Sequence, residues 1–318
     1  MITQILSSLA GFAVIAFIGW FSAKKGFIND AVCDGLTYIV VKIAVPAAIL
    51  MSANTELDTN GTFGLVMAVL FLAVCVVTHI LFGSLAGRLL PIDKQHKKAF
   101  ALSITFPNVA FLGFPIASLL FGAEGIFYAA LFNLVVTMFM FTYGISTFAG
   151  ADGVSLKLRL LGMLTQPATL ATFAMVALFL SQITLPGLVS NTLSLLGETA
   201  TPLSMVVMGV LIAKVNIFSA FTNWLSYAIA FVRLILSPAL VLLALWLLDV
   251  DPTMAATFTI LAAMPPAIML SVLASKYKML PEFITKTTVF SMILYIVTVP
   301  VIVFVLEMVY PGVFITLR

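Results

Sequence analysis

Ten times along the chain a run of roughly twenty apolar residues is closed off by a short polar break. About 20 apolar residues are what an α-helix needs to cross a hydrocarbon core of about 30 Å. The runs fall at roughly 3–22, 32–52, 63–87, 99–121, 126–148, 167–184, 190–212, 223–248, 254–275 and 283–306. They are continuous rather than alternating, which excludes a β-barrel. With 63% of its residues hydrophobic and 8% charged, the chain has no water-compatible surface for a soluble fold. The longest interior break, about 149–166, is too short to fold alone. The expected class is an all-α polytopic membrane protein with ten transmembrane helices.

The basic residues orient these spans. Lys24 and Lys25 lie in the first loop, and Arg88, Lys94, Lys97 and Lys98 in the third. Lys157 and Arg159 lie in the fifth, Lys214 in the seventh, and Lys276 and Lys278 in the ninth. The even loops hold Glu56, Asp58, Glu124, Asp249 and Asp251 and no basic residue; Arg318 lies at the C-terminus on their side. The positive-inside rule places the odd loops in the cytoplasm and both termini outside, in a cytoplasmic (inner) membrane. The net charge of +3 is therefore a topology signal, and no nucleic-acid partner is expected. Lys24 and Lys25 follow the first run, the reverse of a secretory signal, so that run is expected to be retained.

Two halves of five spans are legible within the ten. Pro46 in span 2 and Pro202 in span 7 are 156 residues apart, each with a charge four residues earlier, Lys42 and Glu198. Pro107–Asn108 in span 4 and Pro265–Pro266 in span 9 are 158 apart, and His79 and Arg233 are 154 apart. Because five is odd, the second copy enters the membrane upside down, giving a 5+5 inverted repeat. The expected boundaries are 1–149 for the first repeat, 150–166 for a cytoplasmic linker and 167–318 for the second repeat.

A proline inside a helix removes a hydrogen bond and clashes with the preceding turn. In lipid such a break needs a cavity, a neighbour or a ligand. Asn108 lies ten residues beyond Lys98, and Pro266 ten residues before Lys276. Both breaks are thus about 15 Å from the cytoplasmic edge and should cross at mid-bilayer. Helix N-terminal ends at such a crossing favour an anion, and Asn108 adds a side chain that donates and accepts. Spans 4 and 9 carry no Asp, Glu, Lys or Arg at that depth, whereas a cation exchanger would need carboxylates there.

At these residues the chain resembles the auxin efflux carrier family, which includes plant PIN-type carriers and bacterial permeases for malate or malonate. Pro107-Asn108-Val109-Ala-Phe-Leu-Gly113-Phe-Pro115 is similar to the family's first crossover. Ala263-Met-Pro265-Pro266, continuing to Ala274-Ser-Lys276-Tyr277, is similar to the second. Arg233, five residues before Pro238, and the Val45–Pro46 region also match, and the resemblance covers nearly all the chain. It implies a panel of spans 1, 2, 6 and 7 and a mobile core of spans 3–5 and 8–10. It further implies elevator-type transport with substrate held at Asn108 and the two crossovers. The central loop lacks the length of the plant carriers' loop. Pro266 stands where plant carriers usually have Gln, so the Pro-Pro form looks like the bacterial permeases and auxin itself is not implied.

The expected function is secondary transport of an organic carboxylate anion. The substrate residues are Pro107, Asn108, Val109, Pro265, Pro266 and Ala267, with Asn133 and Thr137 one turn apart on span 5. Asn133 and Thr137, like Ser291, Tyr295 and Thr298 on span 10, either line the cavity or bond between helices. Each charge inside the bilayer costs about 2.5–3.5 kcal/mol and needs a reason. Lys42 and Glu198 either form a salt bridge or each snorkels or pairs elsewhere. Arg233 either braces core helices through carbonyls, the favoured reading, or neutralises substrate. His79 either packs, again the favoured reading, or couples a proton. A cation- or proton-coupled exchanger of this architecture and a channel or sensor are the alternatives. No Gly-x-Ser-Gly, no His-Glu-x-x-His and no aspartate deep in a span supports an enzyme. Cys33 and Cys75 lack metal-ligand partners, so no cofactor or metal is expected. The expected partners are the lipid bilayer, a small organic anion, a co-transported proton or sodium ion unless the carrier is a uniporter, and a second copy in a homodimer.

Overall fold

A computed structural model describes residues 2–55, 61–150 and 153–314; Glu56, Asp58 and Arg318 lie outside the described residues. Among the described residues every regular element is helical. Helix α1 (Ile2–Lys24) is followed by α2 (Asp30–Ile39), which passes through a π-helical turn (Val40–Ala44) into α3 (Val45–Met51). Next come α4 (Gly61–Leu89) and α5 (Lys94–Thr105). After a break, a π turn (Val109–Gly113) opens α6 (Phe114–Phe139), and a second (Met140–Gly144) leads to α7 (Ile145–Ala149). The second half runs α8 (Leu156–Leu164), α9 (Pro167–Ser181), α10 (Gly187–Glu198), α11 (Ala200–Ala213) and the short α12 (Ile217–Ala220). It continues with α13 (Trp224–Phe231), a π turn (Val232–Leu236) and α14 (Ser237–Leu247). It ends with α15 (Pro252–Ala262), α16 (Ile268–Lys276) and α17 (Pro281–Val309).

Among the described residues, seven helical segments are long and apolar enough to cross a membrane, or eight if the pair α8 and α9, bent by 63°, is counted as one. The segment Val109–Ala149 is 41 residues, about 60 Å of helix and twice the hydrocarbon thickness. Gly122 turns it back with φ 58° and ψ −139°, a conformation open to glycine alone. That turn falls between the runs read at 99–121 and 126–148. The runs at 99–121 and 254–275 are not continuous helices: each is broken in its middle, between α5 and the π turn at Val109 and between α15 and α16.

Three of the four π turns among the described residues end two residues before a proline, at Pro46, Pro115 and Pro238. A proline has no N–H and its ring excludes the carbonyl four residues back. The extra residue of a π turn absorbs that clash, and the residue before each proline donates to the fifth residue back: Val45 to Val40, Phe114 to Val109 and Ser237 to Val232. The helices thus pass their prolines without stopping, which is why a proline alone does not mark a break here.

The segment expected as a bare linker, 150–166, contains a helix, α8. Its Arg159 donates from Nη1 to the Thr142 carbonyl (3.3 Å) and to the Ser146 hydroxyl, tying α8 to the end of the preceding helix. At the start of α5, Asp93 caps the helix by accepting the amides of Gln95 (2.9 Å) and His96 (3.1 Å). These bonds to the charged form, that of His96 first, hold the Asp93 carboxyl below its ordinary pKa.

α1 lies along α11, and α3 packs on α9 and α10; α4 packs on α5, α15 on α6 and α14, and α17 on α13 and α16, while α6 also touches α3, α9 and α11. The outer faces carry Phe17, Leu81, Leu85, Trp246, Val297 and Val301, all more than half exposed, as a lipid-embedded surface requires. The α1–α11 seam is built on small residues. A Cβ on Gly209 would stand 1.8 Å from the Ala16 carbonyl oxygen, and one on Gly19 2.2 Å from that of Val206. Such contacts let two backbones approach where lipid offers no hydrophobic drive between helices. Gly209→Val is expected to force α1 off α11 and to cost about 1–3 kcal/mol or more. Thermal unfolding in detergent measures it, and an unshifted midpoint would mean that the seam is not closed.

Candidate substrate site at two broken helices

The two breaks meet. Pro107 and Pro266 form an isolated antiparallel bridge, with the Asn108 amide donating to the Pro265 carbonyl (2.8 Å) and the Ala267 amide to the Phe106 carbonyl (2.9 Å). The crossing of the two prolines expected from equal depth is therefore a direct backbone pairing. The remaining backbone groups are accounted for one by one. Pro265 cannot donate to Leu261, whose carbonyl takes the Met264 amide instead (3.2 Å). Pro266 cannot donate to Ala262, whose carbonyl lies 3.3 Å from the Ser237 hydroxyl oxygen. The Asn108 carbonyl accepts the amides of Leu112 (3.3 Å) and Gly113 (3.2 Å), closing the first turn beyond the break.

Arg233 holds the other side of the crossing. Its side chain is buried, with Nε and Nη2 donating to the Met264 carbonyl (3.1 and 2.9 Å) and Nη1 to the Ile104 carbonyl (3.0 Å). One guanidinium thus ties together the C-terminal ends of α5 and α15, whose carbonyls carry partial negative charge. All three of these bonds go to backbone carbonyls, the partners that a brace would use. His79 stands beside it: Nδ1 lies 2.6 Å from the Cys75 carbonyl and Nε2 2.6 Å from the Ser237 hydroxyl. Both ring nitrogens thus have a hydrogen-bonding atom within reach.

A cavity of about 130 Å³ opens against the crossing. Pro107, Asn108, Val109, Ala267, Asn133 and Thr137 line it, so six of the eight expected substrate residues face one space. Pro265 and Pro266 do not line it; they are consumed in the backbone pairing. The remaining wall comes from Val41, Phe111, Met140, Phe141, Met269 and the start of α9, with Gln166, Ala168 and Thr169. Among the described residues no charged side chain lines the cavity. Asn108 is 2% exposed, and its Nδ2 has no hydrogen-bond partner among the described residues. Thr169 is 1% exposed, and its hydroxyl is likewise unpartnered. Of the eleven buried side-chain polar atoms without a partner among the described residues, these two belong to residues that line the cavity.

Gln166 and Thr169 are additions to the expected set. Gln166 ends the segment expected as a linker, and the Gln166-Pro167 pair, a helix-start signal, is its only mark in the sequence. Ser291 and Tyr295 are buried in α17 away from the cavity, and Thr298 lines a separate apolar groove between α14 and α17. Lys42 and Glu198 are both exposed and do not form a salt bridge with each other; Glu198 accepts the Ser194 hydroxyl (3.0 Å). In place of a salt bridge between that pair, Glu198 makes a local i, i+4 bond on α10.

Residues 4–303 match the model of a family described as membrane transport protein. The chain belongs to this family. It is the family of the auxin efflux carriers that the crossover motifs resemble. An uncharacterized transporter of Methanocaldococcus jannaschii is 26% identical over 293 residues, covering 88% of this chain and 93% of that protein. An uncharacterized transporter of Methanothermobacter thermautotrophicus is 23% identical over 292 residues, covering 90% of this chain and 93% of its own. The chain is a multi-pass membrane transporter, and the paired breaks lie within the matched region.

Proposed function

We propose that this transporter carries a small carboxylate anion across the cytoplasmic membrane by alternating access. The observation that carries the reading is the crossing itself: the helices that restart after the two breaks begin at one uncharged cavity, beside an unpartnered amide donor on Asn108. The first amides of each such helix lack an intrahelical acceptor and carry partial positive charge, which suits an anion. Arg233 adds a fixed positive charge behind the crossing. A cation exchanger would need a carboxylate here, and none lines the cavity among the described residues.

In this reading the two broken helices each cross the membrane once, giving ten crossings as a 5+5 inverted repeat with both termini outside. α1–α3 and α9–α11 form the panel and the other spanning helices the moving core, in an elevator-type cycle. The close packing of α1 along α11 and of α3 on α9 and α10 supports this division, and so does a cavity with walls from both groups.

The test is flux into proteoliposomes with a panel of labelled mono- and dicarboxylates and an organic cation as control. Saturable uptake of a carboxylate, and none of the cation, is expected. Uptake of the cation, or of no carboxylate, would overturn the reading. A proton or sodium gradient that accelerates the flux identifies the coupling ion in the same assay.

A further inference from the structure

We propose that Thr169 is a second ligand contact, and that the cavity takes a short monocarboxylate bearing a hydroxyl or keto oxygen beside its carboxylate. This rests on the carboxylate reading above and narrows it. Asn108 and Thr169 reach the same cavity from different elements, the first break and α9. Both are buried, and Asn108 Nδ2 and Thr169 Oγ1 have no partner among the described residues. Leaving either group unmade in an apolar wall is costly unless something else satisfies it. An amide nitrogen only donates, so its partner must be an acceptor; a hydroxyl donates and accepts, so it can pair with a carboxylate oxygen or with a hydroxyl or carbonyl oxygen beside it. A carboxylate with an oxygen on the adjacent carbon offers both in one small molecule.

Size and charge set the remaining limits. The cavity's volume of about 130 Å³ leaves room for a three- or four-carbon acid. Arg233 supplies one positive charge at the crossing and spends its donors on two carbonyls. Among the described residues no cation lines the space, so a carboxylate beyond the one that the helix ends can serve would be stripped of water without a partner.

Equilibrium binding to the purified full chain, with four probes, tests this. Lactate and pyruvate carry the adjacent oxygen, propionate lacks it and malonate carries a second carboxylate. Lactate and pyruvate are expected to bind about tenfold tighter than propionate, with malonate weakest. Thr169→Val removes the hydroxyl without breaking a hydrogen bond and should bring the lactate-to-propionate ratio close to one. Thr169→Ser should restore it. A ratio unchanged in Thr169→Val, or malonate binding as tightly as pyruvate, overturns the proposal. If propionate binding is nevertheless lost in Asn108→Ala, the carboxylate reading stands without it; if no carboxylate binds the wild type, both fall.

Discussion

Asn108→Ala is expected to weaken carboxylate binding about ten- to hundredfold, and flux with it, while leaving the thermal midpoint unchanged or slightly raised. The two halves of that result have one cause. A hydrogen bond to a charged group contributes about 1.5–3 kcal/mol, which is the size of the loss. In the empty protein Nδ2 makes no such bond, so nothing in the fold is given up when it goes. The backbone of residue 108, which donates to Pro265 and accepts from Leu112 and Gly113, is untouched by the change. A residue kept for structure would behave in the opposite way, losing stability first and transport as a consequence. Asn108→Asp sharpens the contrast, because it keeps the shape and places a negative charge where a carboxylate must sit. Binding by calorimetry and unfolding in detergent measure the two quantities separately. Full binding in Asn108→Ala, or a collapse of the midpoint, would remove Asn108 from the site.

The place of this residue is legible in the sequence because depth in a membrane can be counted. Ten residues from Lys98 and ten from Lys276 put two breaks at one level, and two helices broken at one level in one protein must satisfy each other. The backbone pairing of Pro107 with Pro266 is the result. The turn at Gly122 and the run boundaries around it follow from the same counting. Arg233 is legible as a brace because a lone buried cation on a core helix has carbonyls as its cheapest partners. Lateral position is what the residue order does not encode so plainly. Gln166 and Thr169 have no charge and no repeat mate, and the Gln166-Pro167 pair marks a helix start without saying what the residues beside it face. Lys42 and Glu198 fail for the mirror reason: their matched positions fix a common depth, yet both side chains end on exposed surfaces without meeting. Prolines mislead in a third way. Pro46, Pro115 and Pro238 resemble Pro107 in sequence, but the π turn before each lets its helix continue.

Arg233→Ala is expected to destabilise the protein by about 2–6 kcal/mol. The figure follows from two orphaned carbonyls, Ile104 and Met264, each costing about 1–3 kcal/mol once unpaired in an apolar interior. The cavity left by a fully buried side chain adds to it. Arg233→Lys should recover only part of the loss, since an ammonium is a point charge and cannot span two carbonyls as a planar fork does. The loss should be local before it is global. With the C-terminal ends of α5 and α15 released, the amides of Asn108 and Ala267, which pair the two breaks, should exchange with solvent faster than those of α1 and α11. Hydrogen exchange resolved at these segments separates a brace at the crossing from a charge that merely attracts substrate. A substrate-only role predicts weaker binding with protection of both breaks intact, whereas a brace predicts that protection and binding fall together.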